Sequence, residues 1–110
     1  MLIYRQFDVV VVPFPFTDSN KTKRRPALVL SSSSWTIDKS IMAMITTSGH
    51  SPWPLDMVIK DLGAAGINSP SKVRFKLFTL DNDLIIKHIG FLSQSDRTEI
   101  SSRIKSIFEV

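Results

Sequence analysis

The chain has 110 residues, 43% apolar and 22% charged, with a formal net charge of +4 and a pI near 9.7. That is one domain's worth of sequence, residues 1–110, and a domain of this size buries roughly 60–70% of the surface its unfolded form exposes. It has no cysteine, so disulfides, thiolate catalysis and cysteine-based zinc sites are excluded; His50 and His88 alone are too few for a His-rich metal site. The first residues lack a charged-then-apolar signal pattern and no apolar run approaches bilayer length. The expectation is a soluble, cytoplasmic protein with no membrane partner.

Residues 8–16 contain Val9, Val10, Val11 and Val12, a β-branched run that reads as a buried strand. Pro13 and Pro15, which have no N–H for a ladder, are expected to stop it. Residues 17–25 read as a polar loop, long for a link between short strands and therefore a functional candidate. Lys21, Lys23, Arg24 and Arg25 put four cations into five positions there. Such density attracts phosphate by Coulomb attraction and by the entropy of released counterions, so a polyanion is the expected partner. Pro26 is expected to pin the loop against a second strand, residues 27–32. A turn around Trp35 leads to a third strand, residues 41–47. Residues 48–54, with Gly49, Pro52 and Pro54, read as a second loop.

A short strand at 55–59 and a turn at 63–66 precede an alternating segment at 72–80. Val73, Phe75 and Leu77 lie on one face there, and Arg74, Lys76 and Phe78 on the other. Asp81, Asn82 and Asp83 make the turn into a hairpin partner at 84–92. Then the period changes: Ile100, Ile104, Ile107 and Phe108 follow the stripe of a helix laid on a core, with Asp96 and Glu99 as its capping box. The sum is a mainly β fold, a small, strongly curved antiparallel sheet with a C-terminal α-helix.

Three segments belong together. The first runs from Asp8 through the valines, Pro13, Phe14, Pro15 and Phe16 to Thr17, and resumes at Lys23, Arg24, Arg25, Pro26 and Ala27. The second is Ile45, Thr46, Thr47, and the third runs from Pro70 to Asp81, followed by Ile89, Gly90, Leu92 and Ser93. In this order and spacing the pattern resembles the MazF/PemK family of toxins from bacterial toxin–antitoxin modules, over nearly the whole chain. The resemblance implies an SH3-like barrel of the CcdB/MazF type with a C-terminal helix, usually a homodimer. It also implies a metal-independent endoribonuclease for single-stranded RNA with no cofactor. A cognate antitoxin is implied as well, and contact with operator DNA only through the antitoxin complex. By position, the family's catalytic arginine falls on Arg25 and its catalytic threonine on Thr46, with Thr47 as the neighbour a one-residue shift would favour. One position departs: the family's glycine before the first-strand aspartate is Phe7 here. Glycine adopts backbone angles that phenylalanine rarely does, so a different approach to that strand is expected.

The chemistry stands on its own terms. RNA carries its own nucleophile, the 2′-hydroxyl beside each phosphate, and a guanidinium supplies paired donors and constant charge to the developing phosphorane. Arginine is poorly matched to proton transfer near neutral pH, so Arg25 reads mainly as a phosphate stabiliser, with acid–base duty as its secondary reading, and Thr46 as the hydroxyl partner. Lys21 and Lys23 read as steering charges, Arg24 as either an RNA contact or a solvated charge, Thr47, Arg74 and Lys76 as RNA contacts, and Trp53 as a stacking platform for a base. Plainer readings exist for each: a solvated basic loop, a threonine satisfied in the sheet, strand charges that discourage edge pairing, a tryptophan at a dimer contact. His50, near the Thr46 strand end, invites an acid–base role beside a phosphate, but as a lone loop histidine without support from the resemblance it reads as incidental; His88 reads as structural, and Asp8 as a hydrogen-bonding anchor. Two other functions fit the same architecture: a poison of DNA gyrase like the CcdB toxins, and an inactive relative that binds only antitoxin or DNA.

Overall fold

A computed structural model of the chain describes residues 3–14 and 23–109. The valine run forms β1 (Asp8–Phe14), followed by β2 (Lys23–Val29) and β3 (Lys39–Thr47). A two-residue β4 (Met57–Val58) and a single helical turn, α1 (Leu62–Ala65), precede β5 (Ser71–Asp81). A 3-10 turn over Asn82–Leu84 leads to β6 (Lys87–Phe91), and α2 (Gln94–Ile107) follows. The strands form one antiparallel sheet in the order β4-β5-β3-β2-β1-β6, curled into a half-barrel.

Strand alternation divides the apolar residues between two faces. On one, Val9, Leu28, Ala43, Ile45 and Val73 meet Ile100 of α2, with Ile104 packed alongside. Ile100 is fully buried, so truncation to alanine costs about 2–5 kcal/mol. The other face carries Val10, Val12, Ala27, Val29, Met42 and Leu80, with Ile85, Tyr4 and Phe78 against them.

Several expectations are corrected. The cationic run is not all loop: Lys23, Arg24 and Arg25 already belong to β2, opposite Phe14, Pro13 and Val12. Neither Pro13 nor Pro26 ends its strand. The β1–β6 register stops at Val11 and the β2–β3 register starts at Ala27, so each proline stands just outside one ladder. The strand expected at 84–92 begins only at Lys87, because buried Asn82 accepts from Ser40 Oγ (2.7 Å) and donates to the Ile37 carbonyl (3.1 Å), holding a 3-10 turn. The turn at 63–66 is the helical turn α1, stopped by Gly66 in the left-handed region (φ 73°).

The helix cap also lies one turn earlier than the Asp96/Glu99 box. Ser93 caps α2, accepting from the Asp96 N–H at 3.3 Å. Asp96 is fully buried and accepts from the N–H groups of Lys60 (3.2 Å) and Asp61 (3.1 Å), which ties α2 to the segment before α1. Glu99 faces Arg103 one turn on, at 2.8 Å. Phe7, finally, departs from what its residue type leads one to expect. It takes the glycine-like conformation itself (φ 72°), held by Phe7 N–H to the Val29 carbonyl (2.7 Å) and Leu92 N–H to the Phe7 carbonyl (3.0 Å), with its ring against the helix-side core.

Candidate nucleic-acid interface

The β2–β3 register runs Val29↔Met42, Leu28↔Ala43, Ala27↔Met44. Continued by two residues along the same antiparallel count, it sets Arg25 level with Thr46. Arg25 follows Ala27 and Val29 on its face, and Thr46 follows Met42 and Met44 on the same one. The two side chains accordingly line one cleft of about 120 Å³, together with Phe14, Met44, Ile45, Arg74 and Lys76. Arg25 is half-buried, its guanidinium carbon 6.0 Å from the centre of the Phe14 ring. Its Nε is buried without a hydrogen-bond partner among the described residues. A buried, unsatisfied donor of a charged group is costly, and an anion would satisfy it.

The cations of β5 reach this face through an irregularity. Ala43 pairs with Leu77 but Met44 with Arg74, leaving Phe75 and Lys76 without partners on β3. Because the excess is two residues, alternation is preserved and Lys76 stays on the cleft side. Lys72, opposite Thr46, is buried and paired with Asp56 at 3.1 Å. Arg74 pairs with the same carboxylate at 3.0 Å and also donates to the Ser51 carbonyl. Burial raises the Asp56 pKa, but hydrogen bonds from Arg74, the Trp53 N–H and Lys72, with the Arg74 charge, outweigh it and hold the carboxyl below its ordinary value. Asp56 is the only acid between Lys39 and Lys60, which makes it the hub of the loop.

That hub orders the residues between β3 and β4. The His50 N–H donates to the Thr47 carbonyl at 3.2 Å, a turn that folds the loop back over the strand end. Lys72 Nζ donates to the His50 carbonyl at 2.7 Å. His50 Nδ1 thereby lies 2.5 Å from Thr46 Oγ1 and 3.4 Å from Thr47 Oγ1. A second turn, with Asp56 N–H to the Trp53 carbonyl (3.1 Å), places Leu55 at φ 62°. Trp53 lies beside Lys76 Nζ, 4.8 Å from the ring centre, and the Arg74 guanidinium, 5.9 Å away.

Of the residues singled out in the sequence, Arg25, Thr46, Arg74 and Lys76 share the cleft. Lys23 and Arg24 are exposed at the start of β2. By alternation Lys23 is on the cleft face and Arg24 on the other. Thr47 is exposed on the opposite face of β3, beside His50. Trp53 is 40% exposed at the cleft margin, while Arg74 is largely committed to Asp56. Lys21 lies outside the described residues, as do Pro15, Phe16 and Thr17. Asp8 anchors the turn before β1, accepting from the Arg5 N–H at 2.8 Å, and sits 3.4 Å from His88 Nε2. Sequence reasoning passed over Asp56 and Lys72, and set the turn-borne His50 aside as incidental. The signals available were the isolated acid at 56, the evenly spaced cations 72, 74 and 76, and a Ser48-Gly49 pair that suits a turn.

Three comparisons bear on this arrangement. The family described as PemK-like, MazF-like toxin of type II toxin–antitoxin system matches residues 5–108. No curated protein matches the chain. Among solved structures, the Mycobacterium tuberculosis toxin MazF-mt6 aligns with a TM-score of 0.72 at 20% identity, over 94% of this chain and 97% of that one. The MazE–MazF structure (Form-III) from Deinococcus radiodurans gives 0.72 at 19% identity, over 96% of each chain. An endoribonuclease in complex with its cognate antitoxin from a mycobacterial species gives 0.69 at 13%, over 96% and 93%. At these identities the structural likeness establishes the fold, and the family match spans nearly the whole sequence. The chain belongs to the PemK/MazF family of type II toxin–antitoxin toxins.

Proposed function

We propose that the chain is an endoribonuclease toxin that cuts single-stranded RNA at selected sequences without a metal ion, stops translation and growth, and is restrained by a cognate antitoxin. The observation that carries this reading is the cleft in which Arg25 and Thr46 stand together, with Arg74 and Lys76 on its wall. RNA supplies the 2′-oxygen as nucleophile. The guanidinium of Arg25, whose Nε has no partner among the described residues, donates to the non-bridging phosphate oxygens as charge grows on the phosphorane. The Thr46 hydroxyl holds the reacting oxygen. The product is a 2′,3′-cyclic phosphate with a free 5′-hydroxyl.

Outside the reacting atoms, Lys23 and Lys76 steer the backbone, joined by Lys21 and Arg24, while Thr47 and Trp53 border the path of the strand. The basic cleft suits the flexible acidic segment of an antitoxin. The solved relative held by its own antitoxin supports the same pairing here, in a cytoplasmic complex that reaches operator DNA through the antitoxin. A homodimer is part of this proposal.

The test is incubation of antitoxin-free protein with mixed-sequence RNA in EDTA, beside Arg25→Ala. Cutting that persists in EDTA and disappears in the variant supports the reading. Intact RNA in both lanes overturns it and leaves a non-nuclease role, such as a gyrase poison or an inactive relative.

A further inference from the structure

His50 is held too deliberately for an incidental loop histidine. Its N–H is fixed by the Thr47 carbonyl at 3.2 Å and its carbonyl by Lys72 Nζ at 2.7 Å. Lys72 is itself buried and anchored on Asp56 at 3.1 Å. Two backbone anchors therefore set the ring on the Thr46 hydroxyl, with Nδ1 2.5 Å from Oγ1. Among the described residues, the charged groups around this turn are Lys72, Arg74 and Lys76 from β5, Asp56 ahead of β4, and Arg25 of β2, which shares the cleft with Thr46. Lys72 and Arg74 are engaged with Asp56, and Lys76 rests on Trp53. A carboxylate shared by two cations makes a poor base. An imidazole is the side chain suited to exchange a proton near neutral pH, and Thr46 and Thr47 are the side-chain partners its Nδ1 has here.

We infer that His50 is the proton acceptor behind Thr46: a positioning residue that orients the threonine hydroxyl and draws its proton, without itself touching RNA. This rests on the nuclease reading above. In the step, the RNA 2′-hydroxyl gives its proton to Thr46 Oγ1 as the Thr46 proton passes to neutral His50 Nδ1. The freed O2′ pair forms the bond to phosphorus. The P–O5′ bond breaks, its electron pair goes to O5′, and O5′ takes a proton from water. The hydroxide so formed is neutralised by the proton returned from the imidazolium. Arg25 keeps its charge throughout. The arrangement removes the difficulty of asking an arginine for proton transfer, since a positioned histidine is the commonest general base and contributes on the order of 10²–10⁴ in rate.

Two measurements test it. The first reads the ring nitrogens by ¹⁵N NMR in the RNA-free protein, above the pH at which the imidazole titrates. The expected neutral form carries its proton on Nε2, leaving Nδ1 to accept from Thr46, and Thr46→Val relaxes that preference. A proton found on Nδ1 overturns the relay, because the ring would then donate to the hydroxyl. The second is the pH dependence of kcat/KM for RNA in wild type and His50→Gln, which keeps a hydrogen-bonding side chain but does not titrate. Wild type should lose activity on the acid side as the imidazole protonates. His50→Gln should be slower by about 10²-fold and lack that limb. Wild-type cutting with an unchanged rate and acid limb in His50→Gln overturns the relay alone. RNA left intact by wild type overturns the nuclease reading, and the relay with it.

Discussion

Asp56→Asn is the substitution with the most calculable consequence. The carboxylate accepts from Lys72 Nζ at 3.1 Å, from Arg74 Nη2 at 3.0 Å and Nε at 3.3 Å, and from the Trp53 N–H at 3.0 Å. The side chains of Asp56, Lys72 and Arg74 are 13%, 9% and 13% exposed. Asparagine keeps the shape and removes the charge, leaving two nearly buried cations without a counter-ion. Breaking such a pair costs about 3–5 kcal/mol. The lower figure applies, because Lys72 retains the His50 carbonyl and Arg74 the Ser51 carbonyl. For a chain of this length, about 3 kcal/mol lowers the thermal midpoint by roughly 10–15 °C, which circular dichroism reads directly. The control is Asp38→Asn, where a carboxylate and its Lys39 partner are 61% and 47% exposed and the midpoint should not move.

The acid dependence gives a second reading of the same group. The folded carboxyl of Asp56 is held below its ordinary value, so its contribution is present above about pH 4 and is lost as the pH falls further, through the lowered value. The asparagine variant should lack that acid limb. Equal midpoints for Asp56→Asn and Asp38→Asn would refute the whole account of the loop.

Phe7→Gly should be about 1 kcal/mol more stable than Phe7→Ala by urea denaturation. Both lose the ring, but only alanine keeps the cost of a left-handed backbone at φ 72°. Gly90→Ala would bring a Cβ to 2.4 Å from the Ala64 carbonyl oxygen and the Ala65 carbonyl carbon. It should lower stability by about 1–3 kcal/mol, seen as a reduced urea midpoint. Lys23→Ala should weaken RNA binding alike for all sequences and reduce the salt slope of log K by about 0.7, the value for one single-strand phosphate contact, as titrations at several salt concentrations would show.

How much of this was legible in the sequence depended on the range of each signal. The valine run, the alternation at 72–80 and the isoleucine stripe are local periodicities, and each became the element it suggests. Boundaries set by tertiary partners were not legible. Asp96 has the chemistry of a cap, yet it serves two backbone N–H groups more than thirty residues away, and Ser93 caps in its place. Pro13 and Pro26 look like strand ends until the neighbouring ladders are known to stop short of them. Arg25 and Thr46 could be paired by resemblance, but their sharing one cleft is a fact of tertiary arrangement. His50 was visible as a residue near Thr46. Its orientation depends on Lys72, twenty-two residues further on, and no local pattern encodes that.

The placement of the cleft follows from a single sheet face put to two uses. At one end the face carries Val10, Val12, Ala27, Val29 and Met42, all fully buried. Along the same strands, in the same alternation, it continues as Phe14, Arg25, Met44 and Thr46. At the crossover the β2–β3 ladder ends at Ala27 and Met44, and β5 carries two unpaired residues that bring Lys76 to the cleft without inverting the faces. The catalytic candidates are thus the next residues along strands whose positions are already fixed by the buried half. A site built as the extension of a close-packed face inherits its rigidity. It follows that a substitution in that buried half, such as Met42→Ala, should disturb the Arg25–Thr46 alignment as well as stability. Loss of RNA cutting should then exceed the loss of folded protein when both are measured on the same sample, and a strict proportion between the two would show that the cleft is held independently of the face.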